Sequence, residues 1–330
     1  MISGRHEDAF HGILGHHGPT RILRTALDSG RIPHAFLFAG PPGVGKTTVA
    51  GHLAQAILCT GADARPCGTC PDCQRAAHGN AFNRIDITPD GTRIKIEQIR
   101  SATELMITGA ERGVLILSPA EAMGEQAANA LLKTLEEPPS GWVLILVSAN
   151  LEGLLPTIRS RCQVVHFNRL AEVDCAQILA NNGMGSAHIT RLSRLAQGAP
   201  GGLLKMGMSD AELMADYAEA VGVLQPNTLK SAETVIAAAE SWGRDLEATR
   251  RFLTWSQVYA SEALYASNGA VADFPSDDDA AAAHWANHFG HRLLPDFILR
   301  LEQVFDQLGR NINRQSAIED LLVMLRSAQT

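Results

Sequence analysis

Two clusters of residues carry chemistry by their type and spacing. The first is Gly40-Pro41-Pro42-Gly43-Val44-Gly45-Lys46-Thr47, which fits G-x-x-x-x-G-K-[ST]. Glycines at 40, 43 and 45 let backbone N–H groups turn inward around phosphate oxygens, and the helix expected to open at Gly45 adds positive potential there. In such a loop Lys46 reaches the β- and γ-phosphates, Thr47 holds Mg²⁺, and Thr48 completes the nucleotide-binding set with the three glycines. ATP with Mg²⁺ is therefore the cofactor the loop suggests, with its occupancy left open.

The second cluster is Cys59, Cys67, Cys70 and Cys73, a C-x7-C-x2-C-x2-C pattern. Two interlocked C-x-x-C turns gather sulfurs, Cys59 closes a tetrahedral set, and four thiolates suit structural Zn²⁺. A thioredoxin-like redox pair is the competing reading, but neither C-x-x-C opens a helix directly after a strand. Cys162 and Cys175 stand alone and read as packing residues.

Hydrolysis needs one thing more, an acidic residue at the end of a strand beside the loop. The run Val114–Leu117 is the expected strand, yet Ser118 and Pro119 follow it. Glu121 is the next acid, expected on the following helix and pointing elsewhere. A phosphate cradle without the usual carboxylates is the main contradiction in this sequence.

The elements that must position these residues can be read from apolar patterning. Ala35–Ala39, Asn83–Ile87, Val114–Leu117, Val143–Val147 and Val164–Phe167 are short, mostly continuous apolar runs separated by helix-length segments, as in a parallel sheet covered on both faces. Helices are expected to start at Gly45, near Lys95 and near Pro119, the third stopped by Pro138-Pro139. From Glu172 onward the pattern is helical: Val173–Asn181, Ile189–Ala196, Asp210–Val223, Lys230–Ser241, Asp245–Ala266, Leu293–Leu308 and Arg314–Arg326, with Ser267–Asp279 as a loop.

Length and composition bound the class. The 330 residues, 45% hydrophobic and 19% charged, suit a soluble protein of two or three domains. No apolar run reaches the ~18–20 residues of a membrane span, and no secretory leader is evident, so a cytoplasmic location is expected. Residues 1–168 carry 15 Lys+Arg against 15 Asp+Glu; the remainder, 13 against 20, supplies the net charge of −7. There is no basic stripe of the kind that grips nucleic acid unaided.

Further segments, with the two clusters, resemble one family. Asn129-Ala130-Leu131-Leu132-Lys133-Thr134-Leu135-Glu136-Glu137-Pro138-Pro139 looks like the hallmark helix end of bacterial clamp-loader AAA+ subunits of DNA polymerase III. Leu154–Cys162 resembles their Ser-Arg-Cys segment, and Gly15-His16 followed by Ser29–Ala35 is similar to their approach to the phosphate-loop strand. A zinc knuckle after the phosphate-loop helix is another trait of that family. The likeness covers residues 1 to about 205.

The resemblance implies an α/β P-loop AAA+ domain over 1–168, with a parallel sheet and a zinc insertion at about 59–73. It further implies a small helical lid at 169–208 and an all-helical oligomerisation collar at 209–330, with Trp242, Trp255 and Trp285 read as core residues. Within the family, Ser118 and Pro119 in place of acids, and Gly202 where an arginine is usual, favour a subunit that does not hydrolyse ATP over a motor subunit. The expected role is to supply Arg161 in trans as an arginine finger to a neighbouring motor subunit. The partners implied are the other subunits of a hetero-pentamer, the sliding clamp and primed DNA, in a nucleoid-associated replisome. Lys133 and Glu136 could line a subunit interface or form an i,i+3 pair; Arg93, Lys95 and Arg100 could touch DNA or form an exposed helix face.

Overall fold

The computed structural model describes residues 9–61, 65–77, 83–267, 277–308 and 312–328. The chain divides into two compact units, 1–207 and 208–330.

The first unit is built on five parallel strands: β1 (Ala35–Ala39), β2 (Arg84–Ile87), β3 (Gly113–Leu117), β4 (Trp142–Ser148) and β5 (Gln163–His166), in the order β2-β3-β4-β1-β5. All five expected strands are present. Its helices are α1 (His17–Asp28), α2 (Lys46–Leu58), α3 (Pro71–Ala77), α4 (Ile96–Thr108), α5 (Glu125–Glu136), α6 (Pro156–Arg159), α7 (Glu172–Asn181), α8 (Ile189–Leu195) and α9 (Gly201–Lys205). The helices α7, α8 and α9, where the lid was expected, fall within this unit.

Successive strand residues point to opposite faces, so each central strand feeds two cores. Phe36, Phe38, Ile116, Ile145 and Val147 pack with Val49, Leu53 and Ile57 of α2 and Leu23 of α1. Leu37, Leu115, Leu117, Leu144 and Leu146 pack with Ile99 and Met106 of α4 and Leu131 and Leu135 of α5. This double covering is why β1, β3 and β4 are buried along their whole length, while the edge strands β2 and β5 are only partly so. Parallel order also places every strand's carboxyl end on one side, where ligands bind in open α/β sheets.

One expected boundary moves. The segment after Pro119 makes only a 3-10 turn, Ala120–Ala122, and α5 begins at Glu125 behind Gly124.

The second unit is helical throughout its described residues: α10 (Asp210–Leu224), α11 (Pro226–Leu229), α12 (Ala232–Gly243), α13 (Leu246–Ser267), α14 (Asp277–Gln307) and α15 (Arg314–Ser327). Ser209 caps α10 in a capping box with Glu212. Trp242, Trp255 and Trp285 are buried, and the Trp285 indole N–H donates to the Leu224 carbonyl at 2.8 Å. Asp216 accepts from both Arg251 Nε and Trp255 Nε1, so this partly buried carboxylate is paired. The helix expected from Leu293 begins at Asp277 and runs through Pro295. Of the expected loop Ser267–Asp279, residues 268–276 lie outside the described residues.

Candidate functional site

The phosphate loop joins β1 to α2, and its glycines at 40, 43 and 45 have φ of 151°, 77° and 105°. At Gly40 a Cβ would stand 2.0 Å from the Phe167 carbonyl oxygen, so no side chain fits there. Lys46 is the first residue of α2 and is 6% exposed. Its Nζ donates to the carbonyls of Gly40 and Pro41, each at 2.6 Å. Burial pushes its pKa down to about 8, against the opposing pull of the Glu121 charge and with a smaller push from Lys205. The loop's own carbonyls thus hold the ammonium that a phosphate group would otherwise receive.

Thr47 lies across from the end of β3, with its hydroxyl oxygen 3.3 Å from that of Ser118. The residue standing where a metal-holding carboxylate is usual is therefore a serine in space as well as in sequence. Glu121 departs from its expected place. The 3-10 turn carries it back toward the sheet, and its Oε1 accepts from the Ala149 N–H, just beyond β4, at 2.9 Å.

Two neighbours of the loop leave no mark in composition or spacing around it. His16 Nε2 pairs with the Val44 carbonyl at 2.7 Å, so the ring nitrogen donates, and its ring packs edge-on against Phe167. The first residue of α9, Gly201, donates its N–H to the Gly43 carbonyl at 2.9 Å. A Cβ on Gly201 would lie 2.7 Å from that same oxygen, whereas one on Gly202 would meet nothing within 4 Å. The one signal for the approach of α9 is the distant glycine-rich run Gly198–Gly202, since backbones meet closely where side chains are absent. Beside the loop lies a cavity of about 300 Å³ whose lining includes Ile13, His16, Val44, Thr48, Ile178 and Leu204. Apolar walls next to a phosphate loop suit a flat base, and Thr48 faces this space rather than the Ser118 side.

The four cysteines converge between the end of α2 and α3, their sulfurs all within 4.8 Å of one another. Cys59 and Cys70 sulfurs are 3.9 Å apart, close to the ~3.8 Å edge of a tetrahedron with 2.3 Å metal–sulfur bonds. Backbone N–H groups point at the sulfurs: Cys67 N to Cys59, Cys70 N to Cys67 and Cys73 N to Cys70, at 3.2–3.4 Å. Such donors stabilise thiolates. At Cys70 burial acts upward, but hydrogen bonds from Thr60 and Cys73 outweigh it and bring the thiol down to about 5. Burial pushes Cys73 up to about 12. The donor set, its spacing and its N–H···S bonds fit a structural S4 metal site. The lone thiols are also raised by burial, Cys162 to about 12 and Cys175 to about 11, as packing residues should be.

Arg161 follows α6, far along the chain from the loop. Its guanidinium donates to the Thr157 carbonyl at 3.0 Å and to Glu136 Oε1 at 2.6 Å. The arginine side chain is 35% exposed and the glutamate 51%, so this is a surface pair. Glu136 thus pairs with Arg161 rather than with Lys133. Lys95 is engaged by Asp90, which it holds below the usual carboxylate range, while Arg93 and Arg100 are exposed.

Residues 15–171 match the family model described as DNA polymerase III, delta subunit. The chain is 36% identical over 190 residues to DNA polymerase III subunit delta' of Bacillus subtilis, spanning 53% of this chain and 58% of that protein. It is 43% identical over 135 residues to the Pseudomonas aeruginosa subunit of the same name, spanning 39% and 41%. Over residues 15–171 the chain is similar to the delta-prime subunits of DNA polymerase III. A relative of different name, subunit tau of Escherichia coli, is 34% identical over 227 residues, 66% of this chain and 34% of that protein. The matches thus span about half of the delta-prime relatives and a third of tau, and both phosphate loop and cysteine cluster lie inside the family segment. Among the described residues no helix is long and apolar enough to cross a membrane.

Proposed function

We propose that the chain is a subunit of a DNA polymerase III clamp loader that turns over no ATP of its own and presents Arg161 to ATP held by a neighbouring motor subunit. The observation that carries this reading is Ser118 facing Thr47. A neutral hydroxyl offers Mg²⁺ far less than the carboxylate that hydrolysing sites place there. The likeness to delta-prime subunits supports the context of this reading: partners are the remaining subunits of a pentamer, with the sliding clamp and primed DNA reached through the complex, in the cytoplasm at the replisome. The phosphate loop, through Gly40, Gly43, Gly45, Lys46, Thr47 and Thr48, holds nucleotide without cleaving it, and Cys59, Cys67, Cys70 and Cys73 hold one structural Zn²⁺.

Arg161 is suited to the task by its surface pairing. An exposed ion pair contributes about 0–1 kcal/mol, so leaving Glu136 for a triphosphate costs little. A planar guanidinium then spans two phosphate oxygens and offsets charge developing in the transition state.

The test is ATP turnover by the purified chain, alone and then with a motor subunit, the clamp-opening subunit, clamp and primed DNA. The chain alone should be inactive. In the mixture Arg161→Ala should assemble normally yet lower turnover by on the order of 10³-fold. Unchanged turnover would sink the finger role. A motor subunit is the alternative, favoured by the placement of Glu121 near the loop; robust turnover by the chain alone, lost in Lys46→Ala, would select it.

A further inference from the structure

The carboxyl ends of three adjacent strands meet at the phosphate loop. β1 pairs with β4 so that Ala39 lies beside Ser148, and the Gly40 N–H donates to the Ser148 carbonyl at 3.3 Å. Ala149 therefore sits next to the first residue of the loop. β3 pairs with β4 on its other side, and Ser118 at its end touches Thr47. Glu121 bridges these ends: three residues beyond Ser118, it is anchored through Oε1 to the Ala149 N–H at 2.9 Å. Its other oxygen, Oε2, is buried and has no hydrogen-bond partner among the described residues.

A carboxylate oxygen buried without a donor costs free energy that a donor brought by a ligand would recover. Its charge is already felt at Lys46, where it opposes the lowering by burial. We propose that Glu121 is a specificity-determining residue that makes the phosphate loop take Mg²⁺-complexed nucleoside triphosphate in preference to the metal-free form. Two effects act in the same direction. A fixed negative charge at the loop's edge repels a bare triphosphate, and the unpartnered oxygen is an acceptor for a water on Mg²⁺, which keeps several waters when bound. Ser118 cannot supply this discrimination because its hydroxyl carries no charge. The inference rests on residues 40–47 being a nucleotide site and is independent of the role given to Arg161.

The experiment is calorimetric titration of the full chain with ATP, once in saturating Mg²⁺ and once in EDTA. Wild type, Glu121→Gln and Glu121→Ala are compared, with melting of each free protein as a check on folding. Glutamine keeps an acceptor for the Ala149 N–H and removes the charge. Wild type should bind the Mg²⁺ complex about tenfold or more tightly than metal-free ATP. In Glu121→Gln that preference should shrink to about twofold or less, chiefly through tighter metal-free binding. A glutamine variant that folds and keeps the full preference overturns the proposal while leaving the nucleotide site standing; the alanine variant decides in the same way should glutamine misfold. Wild type that binds ATP equally in both buffers also overturns it. Wild type that binds no ATP in either buffer removes the nucleotide site and the proposal together.

Discussion

Four sulfurs lying within 4.8 Å of one another repel as thiolates unless a cation sits among them. The N–H groups aimed at Cys59, Cys67 and Cys70 lower the cost of that charge without cancelling it. Metal analysis should therefore find one zinc per chain, and Cys70→Ser should lose it. At about 2–4 °C per kcal/mol for a unit of this size, loss of the metal should lower the melting temperature by roughly 5–10 °C. Finding no zinc in protein purified without chelators would remove the site. Spacing along the chain reaches only so far at this scale. C-x2-C turns are local, so the cysteine cluster was legible from the chain alone, whereas the partner of Glu136 was not. Sequence neighbours suggested Lys133, one turn away; the guanidinium that reaches it comes from 25 residues downstream.

Among the elements, α9 shows how much a single helix start can carry. Its first N–H holds the phosphate loop through the Gly43 carbonyl, and the two adjacent glycines there play unlike parts. Gly201→Ala would place Cβ 2.7 Å from that carbonyl oxygen, forcing the helix or the loop to move. We expect it to cost about 1–3 kcal/mol. Gly202→Ala meets open space inside a helix and should stabilise by about 0.5–1 kcal/mol, because alanine has less freedom to lose on folding. Paired denaturation curves check both signs; equal effects would show that the loop contact carries no energy. Position 202 is where the family resemblance expects an arginine, and its open surroundings mean that packing does not forbid one. The misplacement of Glu121 belongs to this scale too. Pro119 starts a 3-10 turn as readily as an α-helix, and only the contact with Ala149 shows which way the carboxylate turns.

For the whole molecule, two compact units with separate cores predict separable folding. Residues 1–207 hold the sheet, both of its covering layers and the cysteine cluster, while 208–330 close around Trp255, Trp285, Phe252 and Phe297. Expressed apart, each fragment should unfold cooperatively, and the first should retain zinc. A fragment that shows no cooperative transition would reveal that its core depends on the other. The long helix α14 was only half visible in the sequence. Consecutive aspartates at 277–279 read as the end of a solvated loop and the helix was expected only from Leu293, yet it starts at the aspartates. Local propensity is weak where long-range packing, here Trp285 of α14 edge-on against Tyr259 of α13, stabilises the helix.

The five strands, the phosphate loop, the S4 cysteine set and the lack of acids at 118 and 119 are legible from the chain alone, because each is written in spacing along one short stretch. What stands against the loop is settled by folding: His16 from before α1, Gly201 from α9, and Glu121 turned in from a 3-10 turn to the end of β4. These residues lie between 28 and 158 positions from their partners. Periodicity reports which face a residue occupies. It does not report which distant backbone group will meet that face, and at this site those meetings hold the loop and place the charge beside it.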